Sequence, residues 1–175
     1  MQITYSPDEV FSRIQHEGIQ FIDLQFTGLT GHFHHTTISA NTFTPEQMRD
    51  GLPKLDGSSI VGFTTIDDSD LLLKPDPSTF AIIPWMTENK TARLLCDVYW
   101  GENRGRLSRD PRGIAQKAEE YIKTQGFDFS TWGPEVEFFF FVKVHWDVLT
   151  PYKGQSYSIE SKEAPWSNDG DGYQM

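Results

Sequence analysis

Apolar and polar positions along the chain follow two periods, and caps mark where each begins. Ser6-Pro7-Asp8-Glu9 predicts a helix start, with Ser6 as N-cap, Pro7 at the first helical position and Glu9 closing a capping box. Val10, Phe11 and Ile14 supply its apolar stripe, and Gly18 fits the position just past its end. The period then drops to two. In "IQFIDLQFT", Ile22, Leu24 and Phe26 share one face and Asp23 and Gln25 the other, which predicts a strand. "GLTG" is a turn signal and "HFHHTTIS" predicts the returning strand. "TPEQMRDG" repeats the helix logic, with Thr44 and Gln47 as the box, Pro45 inside the start and Gly51 after the end. Residues 57–84 are rich in Gly, Ser, Thr, Asp and Pro. They read as a long loop with short extended pieces around "DLLLKPD" and "FAIIPW". "TARLLCDVYW" predicts a strand, so residues 1–100 form a small α+β module.

"GENRGRLSRDPRG" reads as a connector. Asp110 and Pro111 then cap a helix striped by Ile114, Ala118, Tyr121 and Ile122 and ended by Gly126. "FDFSTWGPEVEFFFFVKV" predicts one or two strands, and "YSIES" a further short one in a polar, turn-rich tail from His145. One helix and two or three strands are too little to cover a phenylalanine-rich sheet. Residues 101–175 are therefore expected to begin a larger domain or to pack against other chains.

Charge narrows the function classes. Fifteen basic against 25 acidic residues give a formal charge of −10 without a Lys/Arg cluster. This argues against a nucleic-acid surface and suits cationic partners such as metal ions, although an acidic surface also serves solubility. The single cysteine, Cys96, sits in an apolar strand and reads as an inert core thiol. No apolar run approaches the roughly 20 residues of a membrane span. The opening "MQITYSPDEV" lacks the charged-then-apolar pattern of a signal peptide, so a soluble cytoplasmic protein is expected.

Two short stretches can carry chemistry. In "GPEVEFFFF", a strand would send Glu135 and Glu137 to the same face. Paired carboxylates suit Mg²⁺ or Mn²⁺, which take carboxylate and water oxygens and bind substrate phosphates. The alternative is a strand end whose glutamates merely reach solvent. In "LDGSSIVGF", Asp56 precedes Gly57, Ser58 and Ser59, a group able to hold a small cation or ammonium, or simply a turn bonded to its own backbone. His32, His34 and His35 lack a further His or Cys at zinc spacing. Phosphate-loop, dinucleotide and nucleophile motifs do not occur.

Together, "KLDGSSIVGFTTIDDSDLLLKPDPSTF", "SRDPRGIAQKAEEYI" and "GPEVEFFFF" resemble type I glutamine synthetase over nearly all of residues 1–144. The resemblance implies a β-grasp domain over 1–104 and, over 105–175, the beginning of an antiparallel-sheet α+β catalytic domain. It implies ATP-dependent ligation of ammonia to the side-chain carboxylate of L-glutamate through a γ-glutamyl phosphate. Glu135 and Glu137 would each bind one of two Mg²⁺ or Mn²⁺ ions. Asp56 and Ser59 would bind ammonium in the neighbouring subunit's site, Asp56 also taking part in its deprotonation, and Asp70 would belong to an active-site loop. The partners implied are ATP, glutamate, ammonium and further copies of the chain, in two stacked six-membered rings. The ATP pocket, the glutamate-binding loop and the remaining metal ligands are expected beyond residue 175, so 1–175 alone is expected to be inactive. Tyr173, in "DGDGYQM", is not matched to a family tyrosine. The alternatives are a γ-glutamyl-amine ligase of the same superfamily and a non-catalytic structural homologue.

Overall fold

The computed structural model of the protein describes residues 5–102, 104–147, 154 and 156–161. Tyr173 and the final "NDGDGYQM" lie outside them. The chain divides into two compact units, residues 1–130 and 131–175.

The first unit is a mixed sheet with helices against it. Helix α1 (Pro7–His16) carries the predicted capping box, Ser6 to Glu9, and Gly18 follows it at φ +64°. Strands β1 (Phe21–Thr27) and β2 (Phe33–Ser39) form the predicted antiparallel hairpin. Helix α2 (Pro45–Asp50) has its Thr44–Gln47 box, and β3 (Leu52–Asp56) leads directly out of it. Next come β4 (Asp70–Pro75), the two-residue β5 (Ala81–Ile82) and β6 (Thr91–Trp100). The sheet order is β2-β1-β6-β4-β3, with β5 also on β6. Strands β1 and β6 run parallel, while β4 is antiparallel to both β3 and β6. The "long loop" of 57–84 therefore contains a fully paired strand, β4, between short 3₁₀ turns.

Register explains the core. Ile22 lies opposite Ala92, Leu24 opposite Leu94, and Leu73 opposite Val98, so one face is continuously apolar. Val10 and Ile14 of α1 and Met48 of α2 are buried in the same cluster. Cys96 is buried there too, and burial pushes its thiol far above the ordinary cysteine range, which makes it inert. On the opposite face Asp23 is buried although the alternation marks it only as polar. Its carboxylate accepts from His35 Nδ1 (2.7 Å), Thr37 Oγ1 (2.8 Å) and Gln25 Nε2 (2.8 Å). Burial alone would raise its pKa, and these hydrogen bonds reverse that and leave it lowered.

Helix α3 (Pro111–Thr124) begins at the predicted N-cap, Asp110, and Gly126 follows it at φ +88°. The connector before it is an ion network. Asp110 is fully buried and accepts from Val98 N, Arg112 N and the Arg106 guanidinium. Arg106 also donates to Asp97 (2.7 Å), and Arg112 pairs with both Asp97 and Asp76. These bonds fasten the first turn of α3 to β6 and to the turn after β4. The stripe of α3 is not covered as the periodicity predicts: Ile114 and Tyr121 are exposed and Ile122 is half-buried.

In the second unit, β7 (Lys143–Asp147) and β8 (Ser156–Glu160) pair antiparallel, the latter as "YSIES" predicts. Residues 133–141 are a correction. They form no strand, and Phe138 to Phe141 are exposed rather than buried. A strand exists only with a partner to take its backbone groups, and none lies beside this segment among the described residues. Pairing starts at Lys143, where Glu160 stands opposite.

Candidate functional site

Asp56 ends β3 and caps the 3₁₀ turn Gly57–Ser59. Its Oδ1 accepts from Ser58 N (2.9 Å) and Ser58 Oγ (2.6 Å), and its Oδ2 from Ser59 Oγ (3.2 Å). The Ser58 hydroxyl, then the Ser58 amide, with Ser59 and Ser69 adding, hold this exposed carboxyl below the usual aspartate range. It is therefore ionised at neutral pH. Register sets Asp70, the first residue of β4, directly opposite Asp56. Directly opposed side chains leave the same face of the pair, so both carboxylates belong to one side of the sheet.

The turn is built once more in the chain. Asp76 caps the turn Pro77–Thr79 and accepts from Ser78 N (3.0 Å) and Ser78 Oγ (2.6 Å), as Asp56 does from Ser58. At Asp76 the second oxygen is taken by the Arg112 guanidinium. At Asp56 it accepts from the Ser59 hydroxyl, and the residue lines a groove of about 850 Å³ together with Lys54, Asp67, Asp68, Asp70 and Arg104. One copy of the motif already holds a cationic group; the other lines an acidic groove and, among the described residues, holds none.

Gly57 allows the tight exit from β3. A Cβ there would fall 2.5 Å from Thr64 Oγ1 and 2.6 Å from Leu71 Cδ1. Farther along, Phe63 is buried beside Phe26 (ring centroids 6.3 Å apart), and Ser69 O accepts from Gly57 N (2.7 Å), which closes the loop. Arg104 holds Asp68 through two bonds, 2.7 and 2.9 Å, and lies over the Trp100 ring. Arg109 donates to the carbonyls of Gly62 and Phe63. Sequence reasoning gives neither arginine a role: both sit in the apparent connector, and the stretch "SRDPRG" that contains Arg109 enters only as part of the resemblance.

Glu135 and Glu137 lie in the second unit, both exposed and in irregular backbone. The rings of Phe138 and Phe140 meet edge to face (centroids 5.1 Å apart), so side chains two apart meet here without a ladder. Two carboxylates two residues apart suit hard cations by donor type. Two carboxylates alone would be only part of a shell: among the described residues, no group of three or more His, Cys, Asp or Glu could hold a metal ion. His32 and His34 approach each other (ring centroids 4.6 Å), and burial, with His32 adding, lowers the pKa of His34.

Two family models match the chain: glutamine synthetase, β-grasp domain, over residues 18–101, and glutamine synthetase, catalytic domain, over 108–174. A glutamine synthetase of Sulfolobus acidocaldarius is 48% identical over 162 residues, covering 93% of this chain and 34% of the relative. A protein of Cupriavidus pinatubonensis named 3-hydroxylaminophenol mutase is 37% identical, covering 91% and 33%. The cryo-electron microscopy structure of Plasmodium falciparum glutamine synthetase shares the fold (TM-score 0.65, 19% identity), covering 93% of this chain and 31% of that one. The chain thus spans about a third of the length of the curated relatives it matches.

Proposed function

The chain belongs to the glutamine synthetase family, and on that premise we propose that it supplies part of the site of an ATP-dependent glutamate–ammonia ligase. Phosphorylation of the glutamate side chain by ATP gives a γ-glutamyl phosphate. Attack by ammonia at its carbonyl carbon forms the C–N bond and expels phosphate, leaving glutamine and ADP. The observation that carries the reading is the Asp56 turn, which with Asp70 lines an acidic groove, whereas the twin at Asp76 is closed by Arg112.

In this reading Asp56 and Ser59 hold ammonium and Asp70 adds negative charge on the same face. A carboxylate held below the usual range by hydrogen bonds is a weaker base than a free one. Asp56 therefore acts first by attracting the cation, and it takes up the proton only as ammonia is consumed by attack. Glu135 and Glu137 would hold Mg²⁺ or Mn²⁺, which when bound supply charge neutralisation on the transferred phosphoryl group. Residues 1–104 are assigned to the β-grasp domain and 105–175 to the start of the catalytic domain. The proposal extends to a cytoplasmic ring-forming oligomer in which Asp56 serves a neighbour's site, and to inactivity of 1–175 alone.

The relative named as a mutase makes the activity a matter for assay. The protein that carries this chain is incubated with ATP, glutamate and either ammonium or alkylamines. Glutamine formation saturable in ammonium, falling about 100-fold or more in Asp56→Asn, is expected. Preference for an alkylamine would favour the γ-glutamyl-amine reading, and no ligation of either would sink both.

A further inference from the structure

The loop that carries Asp56 and Ser59 is held from a direction the sequence does not suggest. Ile60 N donates to Gly57 O (3.2 Å) and Phe63 N to Ile60 O (3.1 Å). Two consecutive hydrogen-bonded turns thus run from the Asp56 cap to Phe63, and slack at Phe63 passes to Ser59. Arg109 Nη1 donates to Gly62 O (2.9 Å) and Phe63 O (3.3 Å), at the far end of those turns. Gly62 sits at φ +81°, a conformation glycine takes without strain, so its carbonyl is free to be aimed at a donor. On its other side, a Cβ at Gly62 would meet Leu29 Cδ1 at 2.6 Å, so the tip of the β1–β2 hairpin presses there.

The anchor is stiff. Arg109 immediately precedes Asp110, which is fully buried and bonded to Val98 N and Arg106. Leu107, two residues before Arg109, is also buried. The base of the arginine is therefore fixed to β6, while its head reaches across to the loop. We infer that Arg109 is a positioning residue for the ammonium-binding loop, registering Asp56 and Ser59 to the sheet through the Gly62 and Phe63 carbonyls. The inference rests on the ligase reading above. Arg104 grips Asp68 at the loop's return, a second and separate hold whose partners are exposed, as Arg109 and Gly62 are.

The test measures glutamine formation by the protein that carries this chain, with ammonium, glutamate and ATP varied in turn, for wild type, Arg109→Ala and Arg109→Lys. Hydrogen exchange of segment 57–69 is followed in the same proteins. Arg109→Ala is expected to raise KM for ammonium about tenfold, leave KM for glutamate and ATP within about twofold, and speed exchange in 57–69 but not in 92–98. Arg109→Lys keeps a donor for each carbonyl and is expected to restore most of both. Unchanged exchange overturns the inference whatever the activity, and so does an equal rise in all three KM values. A wild type that makes no glutamine overturns the ligase reading, while faster exchange in Arg109→Ala still supports the hold on the loop.

Discussion

Gly57 shows how one missing methyl group shapes the candidate site. Its backbone does not need the left-handed region; it needs room, since Thr64 and Leu71 occupy the space a Cβ would take. Leu71 is itself buried and pairs across β3–β4 with Leu55, so it cannot withdraw cheaply. In Gly57→Ala the turn would have to lift away from β4, carrying Ser58 and Ser59 off the Asp56 carboxylate. The expected outcome is a stability loss of about 1–3 kcal/mol by denaturant unfolding, of the size of overpacking in a filled core. The same variant should show weaker ammonium saturation. Equal stability and an unchanged KM would show that the turn does not depend on this contact. "DGSS" alone reveals the cap but not the crowding, because Thr64 and Leu71 arrive from later segments that only the fold brings back.

The elements divide by how local their causes are. The three α-helices of the described residues lie where the sequence places them, because Ser6, Thr44 and Asp110 act within one turn of themselves. Strand β3 was passed over, since "LPKLD" is short and holds a proline, and its extended state comes from pairing with β4. The run 133–141 was misread in the opposite sense: hydrophobicity suggests a strand, but no partner pairs with it. The candidate site divides likewise. Asp56 and Ser59 are singled out by the family resemblance that "DGSS" helps carry, whereas the hold by Arg109 depends on the fold bringing Arg109 beside the loop. Gly113 in the first turn of α3 belongs to the same class. A Cβ there would lie 2.6 Å from Arg106 Nε and 2.9 Å from its Cζ. Gly113→Ala should gain up to about 1 kcal/mol of helix propensity. It should lose more by pushing the guanidinium off Asp97 and Asp110, for a net loss of about 1–3 kcal/mol. A thermal melt at or above that of wild type would show that Arg106 can move without leaving its carboxylates.

At the scale of the whole molecule, each unit leaves apolar surface open: Ile114 and Tyr121 on α3 in the first, Phe138 to Phe141 in the second. Exposed apolar side chains of that kind suit burial against further protein. The chain spans about a third of its relatives' length. The same logic applies to the carboxylates. Glu135 and Glu137 offer oxygen donors but too few of them, and a divalent ion of this class takes six or more oxygens. Their contribution is therefore measurable only where the rest of the shell is present. Titrating Mn²⁺ into the protein that carries this chain, in the absence of nucleotide, isolates that contribution from catalysis. Glu135→Ala with Glu137→Ala should weaken Mn²⁺ binding at least tenfold and leave the thermal melt of the metal-free protein within a few degrees of wild type, since both side chains are exposed. Affinity unchanged in the double variant would remove these two residues from the metal site, and a lowered metal-free melt would assign them a part in folding instead.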